Sequence, residues 1–417
     1  MSDTIATRTV ATVSPVSRLP RVRAAVPALF ALVTAELAAR LVTPAKTAIR
    51  PLPVDAEAYF TPEQIERGKR FVRPQVALGL ARSAIELGAL AAASRRFRRR
   101  HGRPRTQISD GAVAGAAMAV GLTLMQLPLG AVARRRAIAV GLITQSWRGW
   151  AVDVVKSTAI EATLAAAGGG AVLALTRRYP RGWWLPAAAG ASAIGTLFGA
   201  LAPVVLAPLF NDFTPLPEGE TRSDVLELAA AAGVDVGEVF SMDASRRTTA
   251  TNAYVTGLGP TKRVVLYDTL IERYPRDEVR VVVAHELAHV AHRDIPRGVL
   301  YGALVAPGAA WAIQRLSWAL SEERGTADAL PALALATALV AAPIGLIVNR
   351  ISRAIERRAD EFSLELSDAP QAFISFEQRI AVRNVADVTP PRWFTDLLAT
   401  HPQTLERIGA AVGYSRG

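Results

Sequence analysis

Long apolar runs alternate along this chain with short clusters of arginine. Seven of the runs approach the ~20 residues a helix needs to cross a hydrocarbon core: 24–43, 76–93, 111–132, 158–176, 183–209, 298–320 and 329–349. The first two carry Glu36, Arg40, Arg82 and Glu86. Charges at that depth are expected to face a bundle interior or a wet cavity. The other reading of 24–43 and 76–93 is a helix lying in the membrane interface. Two stretches break the apolar pattern. In 210–297, a short helix from Asp224 to Ala232, halted at Gly233, is followed by strand-like runs "GEVFSMD" and "KRVVLYD", with a turn signal at "GLGP". Residues 248–256 are also strand-like and suited to pairing with an extended peptide. Residues 350–417 are polar and mostly helical, with prolines at 370, 390–391 and 402. Residues 1–23 read as a disordered polar leader. No small-residue cleavage site follows, so 24–43 reads as a retained helix rather than a signal peptide. The pattern divides the chain into that leader, N-terminal membrane helices with their loops (24–209), a soluble part (210–297), a membrane helix pair (298–349) and a C-terminal helical part (350–417).

Composition sharpens this. Hydrophobic residues make up 51% of the 417 positions but aromatic residues only 6%, and the mean hydropathy is +0.23. Apolar content built mainly from Ala, Leu and Val suits packed or lipid-facing membrane helices. The net charge of +12 fits either a phosphate-binding face or the flanks of membrane helices. Distribution separates the two, because "RRFRRRHGRPR" (95–105), "RRR" (134–136) and "RRYPR" (177–181) each lie between apolar runs. No nucleic-acid-binding motif accompanies them, so nucleic acid is not an expected partner and the lipid bilayer is. Cysteine is absent, which excludes disulfides, thiolate ligands and a cysteine nucleophile. Any metal site must use His, Asp and Glu. Lys46, Lys69, Lys156 and Lys262 are the only lysines among many arginines, a bias that points to a GC-rich bacterial genome.

The chemistry concentrates in "VVVAHELAHVAHRD" (281–294). His285 and His289 stand four apart and share one helix face, so both rings can reach one ion, with Glu286 beside the first. Three of the five histidines (101, 285, 289, 292 and 401) fall in this segment. A catalytic zinc takes three protein ligands and keeps a position open. For the third ligand the sequence offers His292, Asp294 or a remote carboxylate. His292 lies about a turn further along, and one rigid helix rarely presents three ligands to one ion. The remote candidate is "SRAIERRADEF" (352–362), with Glu356 and Asp360 at i and i+4. Two membrane crossings separate it from the histidines and return the chain to the face it left. Glu356 is then placed to bind metal, and Asp360 to hold a histidine N–H. The bland alternative is an Arg/Glu-laced surface helix.

Taken together, "YFTPEQIERGKRF" (59–71), "APLFNDFTPLPEGE" (207–220), "NAYVTGLGPTKRVVLYDTLI" (252–271), "HELAH" (285–289), "ERRADEFS" (356–363) and "THP" (400–402) resemble the type-I CAAX prenyl endopeptidases in order and approximate spacing. These are integral-membrane zinc metallopeptidases of the gluzincin clan, and the likeness covers most of the chain from about residue 59. It implies a mostly α fold: a polytopic bundle of about seven transmembrane helices enclosing a chamber, with a zincin-like α+β metallopeptidase domain. It implies one Zn2+ per chain on His285, His289 and Glu356, with Glu286 as the catalytic base and Asp360 behind the ligands. It also implies that Asn252 and His401 steady the oxyanion. One departure is "HVAHRD" after the second histidine, which is equally similar to the heat-shock-type bacterial membrane peptidases.

The expected reaction is peptide-bond hydrolysis by zinc-activated water, with Glu286 taking and returning the proton. The expected substrate is a peptide or membrane protein, prenylated in one reading and a quality-control client without prenyl specificity in the other. A third reading, a scaffold with a structural metal, leaves the base Glu286 without a purpose. No motif sets an oligomeric state. The expected location is a bacterial plasma membrane with the active site towards the cytoplasm, since 44–75, 133–157 and 210–297 then obey the positive-inside rule. The arginine-rich 94–109 loop falls on the opposite side in that arrangement.

Overall fold

The computed structural model describes residues 20–98, 105–257 and 262–416. Most of the leader and of the "GLGP" turn lies outside them, as does the middle of the 94–109 loop. Every apolar run becomes part of a long helix: α1 (Pro20–Val42), α2 (Pro62–Arg98), α3 (Ile108–Ala139), α4 (Trp147–Arg178) and α5 (Trp184–Val205). After the soluble part the bundle resumes with α9 (Asp294–Leu320) and α10 (Leu330–Ser367). Between these lie α6 (Glu220–Ala231), α7 (Asp268–Arg273) and α8 (Arg276–Ala291), and α11 (Pro370–Arg383), α12 (Arg392–Leu397) and α13 (Thr404–Tyr414) close the chain. Among the described residues five helical stretches, those of α2, α3, α4, α5 and α10, are long and apolar enough to cross a membrane, where the apolar runs led to an expectation of seven. The chain is an integral membrane protein.

Small residues set the helix spacing. A Cβ added at Gly115 of α3 would fall 2.2 Å from the Ala165 carbonyl oxygen of α4, and one at Gly111 would fall 2.5 Å from that of Gly169. Only glycine lets these backbones touch, the usual device where lipid supplies no hydrophobic drive for helix association. On the other side of the bundle, Ala35, Ala38 and Ala39 of α1 are buried against Tyr301 and Val305 of α9 and Ile351 of α10. The early charges find polar company. Glu36 pairs with Arg350 at 2.7 Å and with Arg40 at 3.3 Å. Gln126 accepts from Arg82 at 3.0 Å and donates to Glu86 at 3.3 Å.

The soluble part is built on a four-stranded sheet of β1 (Phe213–Pro215), β2 (Glu238–Met242), β3 (Ala253–Thr256) and β4 (Arg263–Tyr267), in the order β1-β2-β4-β3. β2 and β4 run parallel, and the outer pairings are antiparallel. Of the strand-like stretch 248–256 only the last four residues become β3; Thr248 makes an isolated bridge to Ile143 instead. α6 begins at Glu220, one turn before Asp224, because an acidic first turn suits the positive end of the helix dipole. Asp224 is buried and takes Arg276 and Arg280 as partners, fixing α6 to α8.

Two faces of α8 do different work. Val279, Val282, Val283 and Leu287 recur at helical spacing and pack on Val239, Val264, Leu266 and Ala253 of the sheet. Burying Leu287 alone contributes about 1.5–3 kcal/mol. The stripe Val281, His285, His289 points instead at α10. Residues 292–293 turn the chain into α9, with Arg293 in the left-handed region at φ 56°. α9 then runs 27 residues, about 40 Å at 1.5 Å per residue, and α10 returns over 38. α10 passes unbroken through 349–350, where apolar sequence gives way to charged. The helix that crosses the membrane therefore also presents Glu356. At the far end of this hairpin, the Ala327 N–H donates to the Arg105 carbonyl at 2.8 Å. Arg105 thus lies at the end of the bundle opposite the histidines.

Candidate metal centre

Ser363 on α10 donates to the Val281 carbonyl of α8 at 2.8 Å, and both groups are buried. That bond sets the register of two antiparallel helices. One turn along, His285 Nε2 lies 3.2 Å from Glu356 Oε2 and Nδ1 lies 3.0 Å from Asp360 Oδ1. Another turn brings His289 Nε2 to 3.9 Å from Glu356 Oε1. One ligand atom from each of His285, His289 and Glu356 falls within 4.8 Å of the others. The grouping takes in Glu356, the remote candidate from the sequence, and neither His292 nor Asp294. The His292 ring packs edge-on to Phe362, 5.3 Å between centroids.

The donor set suits a divalent metal: two imidazole nitrogens and one carboxylate oxygen, a combination used by borderline cations. The electrostatics agree. Burial by itself lowers the pKa of His285, but the Asp360 and Glu356 carboxylates on its two nitrogens hold it up at about 10. The pocket is arranged to keep positive charge.

Behind the ligands the structure adds residues that sequence reasoning did not assign. Asp294, weighed above as a ligand, faces His289 Nδ1 at 3.1 Å, the nitrogen turned away from Glu356. It is held in turn by Arg358. Asp360, 2% exposed, takes a two-pronged contact from Arg407 of α13 at 2.9 and 2.5 Å. Arg407 also meets Glu377 of α11 at 2.5 Å. Burial pushes the Glu377 carboxyl up to about 7, against the pull of Arg407. Asp294 carried a sequence signal in its closeness to the histidines. Arg407 and Glu377 carried none, since single charges on short helices look like surface residues until tertiary contacts enclose them.

Glu286 lies one residue, about 100° round the helix, from His285 and turns away from α10. It lines a cavity of about 670 Å³ shared with Asn252, His285, His401, Glu377 and Arg407. Burial raises the pKa of Glu286, while the neighbouring histidines oppose the rise. Asn252 sits just before β3, and its carbonyl accepts from the Tyr267 N–H at 3.1 Å. His401 lies between α12 and α13, with Nε2 3.6 Å from Glu356 Oε2 and Nδ1 2.9 Å from the Thr400 hydroxyl. Asn252, His285, Glu286 and His401 thus line this cavity, with Glu356 and Asp360 against the His285 ring. β3 is an edge strand with one neighbour in the sheet, and it borders the same opening.

A helical membrane bundle that closes a two-histidine, one-carboxylate group under a sheet edge defines the class of membrane metallopeptidases. The comparisons agree. Residues 215–415 match peptidase family M48. The chain is 30% identical over 295 residues to the uncharacterized metalloprotease YhfN of Bacillus subtilis, covering 69% of each. It is 32% identical over 226 residues to the CAAX prenyl protease 1 homolog of rice, Oryza sativa subsp. japonica, covering 52% of this chain and 53% of that one. It is 35% identical over 160 residues to CAAX prenyl protease 1 of Saccharomyces cerevisiae, covering 37% and 34%. These alignments span about half or less of the prenyl proteases. The crystal structure of Ste24p from S. mikatae has the same fold, with a TM-score of 0.73 at 20% identity, covering 96% of this chain and 99% of that one. The chain belongs to peptidase family M48 and is a metalloendopeptidase.

Proposed function

We propose that this protein is a zinc endopeptidase that cuts extended, membrane-delivered peptides, with His285, His289 and Glu356 holding one zinc ion. The observation that carries the reading is the meeting of those three ligands on two helices, with Glu286 turned to the adjoining cavity. Zinc held there supplies Lewis acidity, lowering the pKa of water to about 7. The protein's own residues do the rest. Asp360 and Asp294 hold the outward nitrogens of the two rings, which keeps the inward nitrogens free for the metal. Glu286 accepts a proton from the attacking water and delivers it to the leaving amine, and its raised pKa suits a group that works in both directions. His401 and Asn252 line the same cavity, which supports a role for both as donors to the developing oxyanion. The free edge of β3 aligns the substrate backbone by strand addition.

The substrate class follows from the relatives named CAAX prenyl proteases and from a metal centre tied through α9 and α10 to the membrane. The reading is a C-terminal peptide presented from the bilayer, for which a prenyl group serves as anchor. The centre is assigned to the cytoplasmic face on the basic loops around 44–75 and 133–157. The test uses a fluorogenic peptide in prenylated and unprenylated forms, with wild type and Glu286→Gln in detergent. Wild type should cleave, lose activity with a chelator and regain it with zinc. Glu286→Gln should keep its zinc and lose about 10²–10⁴ in rate, the usual worth of a positioned base. Retained turnover in that variant would sink the mechanism. Equal cleavage of the two peptides would remove the prenyl preference and leave the peptidase.

A further inference from the structure

At the opposite end of the bundle from the histidines, a cavity of about 540 Å³ opens between the α4–α5 turn and the α9–α10 hairpin. Its height follows from helix geometry. From Asp294 to Trp318 is 24 residues along α9, or about 36 Å, slightly more than the ~30 Å hydrocarbon core. With α10 crossing the bilayer beside α9, a hairpin of that length puts the cavity near the headgroup level of the distal leaflet. Arg181, Arg315 and Arg324 line it together with Trp184, Trp311 and Trp318.

Three features separate this from an ordinary belt of interfacial tryptophans. No carboxylate lines the cavity, and none of the ion pairs among the described residues involves the three arginines. Two of the three guanidinium groups lie over indoles: Arg324 is 4.7 Å from the Trp318 ring centre, and Arg315 is 5.9 Å from the centres of both Trp311 and Trp318. Stacking occupies the flat faces and leaves N–H edges for an acceptor. Below them Gln314, 2% exposed, donates to the Arg181 carbonyl at 3.3 Å and fixes that turn. Arg105, from the basic stretch that breaks the positive-inside pattern, meets this same end of the bundle at Ala327.

We propose that this cavity binds the phosphate of an anionic lipid headgroup, with the glycerol and chains lying along α5 and α9. Three clustered cations at headgroup height attract an anionic lipid, each contributing roughly a fivefold gain in affinity. The tryptophans suit the boundary between phosphate and chain.

The experiment measures thermal stability and lipid binding of the zinc-loaded protein in neutral detergent. The probes are short-chain phosphatidylglycerol, short-chain phosphatidylcholine and inorganic phosphate. Phosphatidylglycerol should bind and raise the melting temperature more than phosphatidylcholine does. Arg315→Gln and Arg324→Gln should each weaken it roughly fivefold, and the triple variant with Arg181→Gln should lose nearly all of it. Arg178→Gln, an exposed arginine beside but outside the cavity, should leave it intact. If the triple variant does not fold, the two single variants decide. Equal responses in wild type and the single variants would overturn the proposal, as would loss of response in Arg178→Gln. Inorganic phosphate matching phosphatidylglycerol would assign the site to a free anion and overturn the lipid assignment.

Discussion

Replacing Asp294 by asparagine tests whether the histidine ligands are held from behind as the structure indicates. The side chain keeps its size and one oxygen acceptor, so the 3.1 Å contact with His289 Nδ1 can persist with a neutral partner. What disappears is the negative charge that keeps the ring proton on Nδ1 and strengthens Nε2 as a ligand. Partners of this kind are worth about 10–100-fold in metal affinity, or about 1.4–2.7 kcal/mol. Asp360→Asn should sit at the upper end of that range. Asp360 is 2% exposed and also balances Arg407, so its neutralisation weakens the His285 contact and leaves a buried cation with Glu377 alone. His292→Asn should change affinity little, because that ring packs on Phe362. The assay is a zinc competition titration of purified protein against a graded series of chelators at neutral pH. The expected order of affinity loss is Asp360→Asn, then Asp294→Asn, then His292→Asn near zero. Wild-type affinity in Asp294→Asn combined with zinc loss in His292→Asn would refute the reasoning and return His292 as a ligand.

Further expectations follow from the same contacts. Gly115→Leu places a side chain where a Cβ already falls 2.2 Å from a backbone oxygen. Separating α3 from α4 should cost about 1–3 kcal/mol or more, read as a lower melting temperature in detergent with zinc binding retained. His401→Phe should reduce kcat by about 10²–10³ with little change in KM or zinc content, the pattern of a lost oxyanion donor. Glu377 titrates at about 7 in the fold against an ordinary 4.5. Between those values the unfolded chain ionises while the folded chain keeps its proton. Stability from this group is therefore full below pH ~4.5 and lost as pH rises to ~7. Glu377→Gln should remove that slope and exceed wild type by about 3 kcal/mol above pH ~7. A variant whose stability tracks wild type across the window would count against the buried acid.

The sequence by itself determined a great deal here because two of its signals are local and dense. Apolar runs of membrane-crossing length mark the helices, since a hydrocarbon core admits little else. His285, Glu286 and His289 declare a metal site because helical spacing alone puts the two rings on one face. Glu356 was legible one step further out, because the apolar hairpin of α9 and α10 returns the chain to the end it left and groups Glu356 with the two histidines. Other matters required the tertiary structure. Most of 248–256 is not strand, because Thr248 and Thr249 are taken by partners far along the chain, at Ile143 and Leu142. Asp294 meets His289 because the turn at Arg293 brings the start of α9 back against α8. Arg407 and Glu377 became part of the centre when α11 and α13 closed over Asp360, removing water from charges that a sequence would leave at the surface. Pattern along the chain fixes what each helix can bury. Which charges lose their water, and therefore must find one another, is decided only when the helices meet.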